Sequence, residues 1–310
     1  MEFAFTDTQE ALYRAAKAFG HDALTMAEPM DRAAWQACGE QGLLGLCVNP
    51  EHGGQGHDTV TTARILEGLG YGAGAGGRTF SLAAHLLAMC KPLEDFGDTD
   101  HHRRALAELT SGRSVGAFAT TEAGAGSDVG AITTTATPDG DGHRLSGTKM
   151  FITNAPVADL FLVTARMTAG RGAAGITAFL VPRSTPGLSV GPAEPLMGLN
   201  GAPIGEVHLD DCRVEASARL GPRDGGGAIV QHAMRWERAL ILAPQLGVMQ
   251  RQLDAAVDHA RTRVQFGKRI GSFQGVSHRI AQMAIRLDAA RLLLYRGAWA
   301  LGLGREGTRA

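Results

Sequence analysis

Cysteine pairs at metal-binding or redox spacing are missing from this sequence. Its four cysteines, Cys38, Cys47, Cys90 and Cys212, lie far apart with no C-x-x-C, so neither a zinc site nor a disulfide framework is implied and a reducing compartment is expected. An excess of one charge is missing too. Thirty Lys and Arg stand against 31 Asp and Glu, leaving no net field to draw nucleic acid or an anionic membrane. No run reaches about 18 uninterrupted apolar residues, and residues 1–18 carry Glu2, Asp7 and Glu10 where a targeting peptide has a basic segment and an apolar stretch. These absences predict a cytoplasmic protein with no nucleic-acid and no membrane partner. No internal repeat is evident. The histidines show no ligand-spaced cluster beyond His101-His102, which on its polar stretch reads as a solvated pair, so no metal is expected.

What is present is material for cores. Hydrophobic residues make up 44% of the 310, which excludes disorder, and single cores stop growing near about 250 to 300 residues, so two or three domains are expected. Residues 1–113 carry apolar positions at helical spacing: Ala11, Ala15 and Phe19, then Leu43, Leu44 and Leu46, then Ile65, Leu66 and Leu69, then Leu82, Leu86 and Leu87. Thr6 before Glu10 is an N-cap pattern, and the glycines between Gly72 and Gly77 should end a helix beginning near Thr61. Residues 114–222 change to short β-branched runs at 131–137, 160–165, 175–181 and 206–209, with a hairpin turn expected within 137–142 (TPDGDG). With no helical crossover in view, an antiparallel sheet or barrel is predicted. Residues 223–310 return to the helical period in two long stretches. Leu240, Leu246, Met249 and Leu253 mark one, Ile280, Met283, Leu287, Leu293 and Leu294 the other, with a basic loop at 263–271 between them and a frayed tail from Gly302. The fold class is therefore α+β multidomain: a helical N-terminal domain, a middle antiparallel β domain and a C-terminal helical bundle.

Four segments could carry chemistry. Residues 120–130 (TTEAGAGSDVG) combine small residues, which let backbone N–H groups approach a ligand, with Thr121, Ser127 and Asp128. Their spacing fits neither a Walker loop nor a dinucleotide fingerprint, and alone they read as a loop between strands. In 149–154 (KMFITN), Phe151 and Thr153 lie two apart and should point to one side of a strand, an aromatic face beside a hydroxyl suited to a flat ligand. In 235–238 (RWER), Glu237 opens an apolar run through Ala243. A carboxylate facing apolar surroundings has the raised pKa of a general base, whereas pairing with Arg235 or Arg238 would make it an ordinary surface residue. Arg263, Gln265, Phe266 and Gly267 put a guanidinium, an amide and an aromatic ring within one turn, able to grip a pyrophosphate and stack a base, or simply to cap a helix.

Together and in order, these segments resemble the acyl-CoA dehydrogenase flavoprotein family over essentially the whole chain. Residues 43–56 (LLGLCVNPEHGGQG), 118–128 (FATTEAGAGSD), 149–154 and 263–267 followed by Phe273-Gln274 carry the likeness. The resemblance implies FAD as cofactor, with Phe118, Thr120 and Thr121 edging the isoalloxazine, Phe151 on its face where many members have Trp, and Thr153 near N5. Ser127 is implied near the flavin phosphates or the entering thioester. Arg263, Gln265, Phe266 and Gln274 are implied to hold the FAD of a neighbouring subunit, hence a homodimer or homotetramer. Glu237-Arg238 is similar to the position of the base in the isovaleryl- and long-chain-type branch, so Glu237 is expected to take the α-proton of an acyl thioester while the β-hydrogen leaves as hydride. Arg235 and Arg238 are expected on the substrate side. Arg235 stands where many relatives have an Asp that contacts the pantetheine arm, which leaves acyl-CoA and an acyl-carrier-protein both open as substrate. An electron-transfer flavoprotein or another acceptor is implied. Relatives continue through further helices, so the C-terminal bundle is expected to be incomplete, with an exposed apolar face at Leu287, Leu293 and Leu294. Two alternatives remain: a flavin oxidase or monooxygenase on the same scaffold, and a non-catalytic subunit of a heteromeric dehydrogenase.

Overall fold

The computed structural model describes residues 4–26, 28–168 and 172–304. The first helical part holds α1 (Asp7–Ala23), α2 (Arg32–Glu40), α3 (Thr59–Ala73), α4 (Gly76–Ala84), α5 (Lys91–Phe96) and α6 (Asp100–Thr110), with a π-helical turn at His85–Cys90 joining α4 to α5. Thr6 caps α1 through a reciprocal box with Gln9, and Gly74, at φ 70°, ends α3 inside the glycine run where an L-residue would be strained. Leu43, Leu44 and Leu46 are buried as expected but lie on a 3-10 turn at Leu43–Gly45 and not on a helix. His102, expected to be solvated, is 1% exposed. Helical phase overrides its polar neighbours, because His102, Ala105, Leu106 and Leu109 share the inward face of α6.

The β part contains β1 (Gly116–Ala119), β2 (Thr135–Asp139), β3 (Gly142–Thr153), β4 (Leu160–Arg166), β5 (Ile176–Pro182), β6 (Leu188–Val190), β7 (Ile204–Val214) and β8 (Arg219–Leu220). They form one sheet in the order β6-β7-β3-β2-β4-β5-β8, with β1 also on β4. Most pairs are antiparallel, and β2 and β3 meet in the expected hairpin with Gly140 at φ 62°. Two are not: β1 runs parallel to β4 over four residue pairs, and β2 touches β4 in parallel at Thr135 and Arg166. Parallel neighbours need a long connection, and residues 120–159 supply it with a hairpin in place of a helix. The strand expected from residue 131 begins only at Thr135. Thr133 and Thr134 donate their backbone N–H groups to the Glu122 carboxylate and not to a neighbouring strand. Phe161, Val163, Phe179 and Val181 feed a core inside the β part, while Leu162, Ala178 and Leu180 join the core shared with the helices. Both faces of β4 and β5 are thus covered, and their sequences read as near-continuous apolar runs.

The last part holds α7 (Gly226–Leu240), α8 (Ala243–Thr262), the hairpin β9 (Val264–Gln265) and β10 (Lys268–Arg269), and α9 (Gln274–Gly302). The single stretch expected through Leu240 and Leu253 is broken at Ile241-Leu242, since Pro244 belongs to the first turn of a new helix. Of the apolar face expected to be exposed on α9, Leu293 is 60% exposed, but Leu287 is buried and Leu294 packs half-buried against the core shared by the helical parts. The expected frayed tail lies outside the described residues beyond Gly304. Gly70 in α3 faces the Pro244 carbonyl and Gly247 in α8 faces that of Glu67, so closely that a Cβ at either position would overlap. Buried Glu67 then accepts from Arg291 Nε at 2.9 Å and from the Tyr295 hydroxyl at 2.6 Å. The two helical parts are thereby one packed body flanking the sheet. Among the described residues no helix is long and apolar enough to cross a membrane.

Candidate functional site

Strand β1 delivers Phe118, half-buried against the helical core, to the point where the chain leaves the sheet. Thr120 is buried, and its hydroxyl accepts from Thr164 Oγ1 at 3.3 Å. Its carbonyl accepts from Lys149 Nζ at 3.2 Å, and the Thr121 carbonyl accepts from the Met150 N–H at 2.8 Å. Residues 122–125 close a tight turn through reciprocal backbone bonds between Glu122 and Ala125. Beyond it the loop opens: Ser127 is exposed, and a Cβ at Gly124 or Gly126 would meet nothing within 4 Å, nor is either residue at positive φ. Nothing among the described residues therefore requires glycine at these two positions.

Strand β3 faces this segment. Its pairing with β7 slips between Lys149 and Ile152, a bulge that contains Phe151. The extra residue falls before Phe151, and the alternation holds beyond it, with inward Ile152 between the outward Phe151 and the half-buried Thr153. Phe151 sits at φ 55° with its ring 62% exposed, a conformation that is strained for a bulky residue. Thr153 is half-buried, and Asn154 ends the strand in the left-handed region at φ 69°. The Asn154 amide donates to the Ser81 carbonyl at 3.0 Å and accepts from the Ser81 hydroxyl at 2.6 Å, which fastens this end of β3 to α4.

Between the two segments lies a pair that the sequence reading passed over. Lys149 is fully buried and Glu122 nearly so, with Nζ at 2.8 Å from Oε1. Glu122 also accepts from the backbone and hydroxyl of Thr133 and of Thr134. Desolvation pushes this carboxyl up, but the donors and the Lys149 charge outweigh it and hold the pKa at about 2. Burial pulls Lys149 down to about 8 against the attraction of Glu122, so both groups are charged at neutral pH. The signal was available: Lys149 falls in the inward phase of β3 with His143 and Leu145, and an inward lysine requires a partner.

Glu237 presents the opposite case. It is half-buried near the end of α7, and no hydrogen bond or ion pair to its carboxylate is found among the described residues. Desolvation raises its pKa to about 7, with the Arg238 charge opposing. Neither Arg235 nor Arg238 forms an ion pair with it. Both arginines instead line a cavity of about 730 Å³ between α7, α8 and α9, together with His232, Leu246 and Leu294. Positions 235 and 238 are one turn apart on a helix face that excludes 237. The structure thus groups the two arginines with each other and sets Glu237 apart, outside the lining of that cavity. Arg263, Gln265, Phe266 and Gln274 are all exposed on the β9–β10 hairpin and the start of α9. Phe266, at φ 50° and 92% exposed, precedes Gly267 at φ 73°, and its ring meets that of Phe273 edge-on. Of the three aromatic residues expected at the flavin, Phe151 and Phe266 are presented outward on left-handed backbone, while Phe118 is half-buried on β1.

Comparison with known proteins matches residues 6–113 to the acyl-CoA dehydrogenase N-terminal domain, 117–212 to the middle domain and 224–310 to the C-terminal domain. The chain belongs to the acyl-CoA dehydrogenase family. One member, the L-prolyl-[peptidyl-carrier protein] dehydrogenase of Pseudomonas fluorescens, is 46% identical over 88% of this chain and 72% of its own length. Two solved structures superpose closely on this family member. PigA with FAD and proline gives a TM-score of 0.95 at 36% identity, covering 99% of this chain and 82% of that one. The prolyl acyl carrier protein oxidase AnaB gives 0.94 at 36% identity, covering 98% and 82%.

Proposed function

We propose that this protein is an FAD-dependent dehydrogenase of a carrier-bound acyl thioester, with a prolyl group on a carrier protein as the substrate best supported and Glu237 as the base. The observation that carries the reading is Glu237 itself, a half-buried carboxylate without a hydrogen-bond or ion-pair partner among the described residues, its pKa raised to about 7 by desolvation. A paired surface glutamate would have neither the pKa nor the free lone pairs of a base. The prolyl preference rests on the likeness to the Pseudomonas fluorescens enzyme and to PigA and AnaB.

The residues present fit a flavin. Gly124 and Gly126 leave open space that no described residue fills, and Phe151 holds an exposed aromatic face on strained backbone. Phe118, Thr120, Thr121, Ser127, Phe151 and Thr153 would hold the cofactor within one subunit. Arg263, Gln265, Phe266 and Gln274, exposed on the hairpin and the start of α9, would reach the cofactor of a second copy, which makes a homo-oligomer part of the proposal. When bound, FAD supplies the hydride acceptor for the reaction.

The work of the protein itself is positional and electrostatic. Dehydrogenation removes a proton from the carbon next to the thioester and a hydride from the adjacent atom of the acyl group. Glu237 accepts the proton on its carboxylate. Its raised pKa narrows the gap to the carbon acid, and its semi-enclosed setting keeps water from competing. Arg235, whose Nε lacks a hydrogen-bond partner among the described residues, and Arg238 are available on the next face of α7 for an anionic carrier arm.

The test is anaerobic incubation of the holoprotein with prolyl thioester on a carrier protein, prolyl-CoA, butyryl-CoA and free proline, following flavin absorbance and the acyl mass. Bleaching with loss of two hydrogens from the carrier-bound prolyl group is expected. Bleaching by butyryl-CoA alone would overturn the carrier reading, and no bleaching by any thioester would overturn the dehydrogenase reading. Oxygen consumption on admitting air separates an oxidase, the activity named for AnaB, from an enzyme that uses a protein acceptor.

A further inference from the structure

We infer that the buried Lys149–Glu122 ion pair is a positioning device that sets the cofactor edge of the site before the cofactor binds. The inference rests on the reading of Thr120, Thr121 and Phe151 as flavin contacts. Lys149 is 0% exposed and Glu122 6% exposed, the deepest ion pair beside the proposed site. Two charges so placed are a poor means of stabilising a core, since an apolar pair of the same volume would serve as well or better. Their connections instead explain their presence.

Lys149 Nζ turns the Thr120 carbonyl inward, and the next residue, Met150, does the same to the Thr121 carbonyl through its N–H. The polar backbone of the 120–121 segment is thereby spent on β3, leaving its outward edge in one orientation. Lys149 is also the last residue in register with β7, opposite Val207, before the bulge that thrusts Phe151 outward on left-handed backbone. One side chain therefore anchors the segment holding Thr120 and Thr121 and the base of the bulge carrying Phe151. Glu122 extends the lock to a third strand of chain, taking both N–H groups and both hydroxyls of Thr133 and Thr134. Each acceptor position on the carboxylate is used, so the loop has no equally satisfied alternative arrangement. Pre-ordering of this kind removes the cost of arranging the segments when the ligand arrives.

The experiment uses full-length apoprotein of wild type, K149M, E122Q, the K149M/E122Q double variant, T134V and F151A. Far-UV circular dichroism and thermal unfolding establish folding, FAD titration gives the dissociation constant, and visible circular dichroism of bound flavin reports the asymmetry of its surroundings. The double variant, which leaves no lone buried charge, is expected to fold with a lowered unfolding temperature, since an amide nitrogen at position 122 cannot accept from the threonine donors, to bind FAD at least tenfold more weakly and to show altered flavin dichroism. A folded double variant with wild-type affinity and dichroism would overturn the inference and reduce the pair to packing. Should every variant at 122 or 149 fail to fold, T134V decides: it removes one donor to Glu122 and keeps the ion pair. A rise of about threefold in the dissociation constant supports the inference, and no change overturns it. F151A separates this failure from that of the underlying reading. If F151A leaves FAD affinity and dichroism untouched, the flavin edge has been assigned to the wrong residues; if F151A weakens binding and the double variant does not, only the positioning role falls.

Discussion

Two glutamates of this protein are withdrawn from water and meet opposite fates. Glu122 is surrounded by donors and a lysine charge and is held at about 2, whereas Glu237 has no direct partner and is pushed to about 7. The same side chain is thus held as a fixed anion in one place and, in the proposed reaction, accepts a proton in the other. The difference teaches that depth alone does not raise a carboxylate's pKa, and that the absence of donors does. Glu122 organises a region whose hydrogen bonds are satisfied. Glu237 has no hydrogen-bond or ion-pair partner among the described residues, at the place where the proposed reaction moves a proton.

The contrast can be broken from either side. E237Q removes the acceptor while preserving shape, and turnover of the thioester is expected to fall by about a thousandfold while FAD binding stays within a factor of two or so, as read by steady-state kinetics and titration. E122A, by contrast, leaves Lys149 charged and buried. A stability loss of about 3–5 kcal/mol is expected, measured by urea unfolding of the apoprotein.

The two groups also link to pH with opposite signs. The folded pKa of Glu122 is depressed, so its contribution of about 3 kcal/mol is present above the unfolded value of 4.5 and is lost as pH falls towards 2. That of Glu237 is raised, so the folded state binds its proton more tightly, and wild type loses stability as pH climbs from 4.5 to about 7. E237Q apoprotein is accordingly expected to be more stable than wild type by about 2–3 kcal/mol at pH 8, with the gain vanishing below pH 4.5. Thermal unfolding across that range reads both effects, and an E237Q variant no more stable than wild type at pH 8 would contradict the raised pKa. The smallest effect is expected at Phe151. F151G relieves backbone strain at φ 55° and should stabilise the apoprotein by about 1 kcal/mol while weakening FAD binding, a combination that marks strain held for a ligand.

Much of this was legible in the sequence. The change from helical to β periodicity and back gave the α+β organisation, and the order of FATTEAGAGSD, KMFITN and RVQFG pointed to the family. The details that escaped depend on contacts between distant residues. The parallel pairing of β1 with β4 could not be read locally, because a hairpin occupies the place of the usual helix. The bulge before Phe151 and its left-handed backbone could not be read from the two-residue period, which holds only from Phe151 onward. Helical phase shows that Arg235 and Arg238 share a face and Glu237 does not, a separation visible in the spacing once α7 is known to be regular there. The Lys149–Glu122 pair was hidden by attention to hydroxyls and glycines, although a lysine in an inward strand position was the plainer clue.

The most direct test of the central claim is the pH dependence of kcat/KM for the carrier-bound prolyl thioester, measured with wild type and E237Q. The expected result is a wild-type profile that rises with a midpoint near 7, the free-enzyme pKa of the base, and a flat residual rate in E237Q. A wild-type profile without that rise, or E237Q turnover equal to wild type, would contradict the assignment of Glu237.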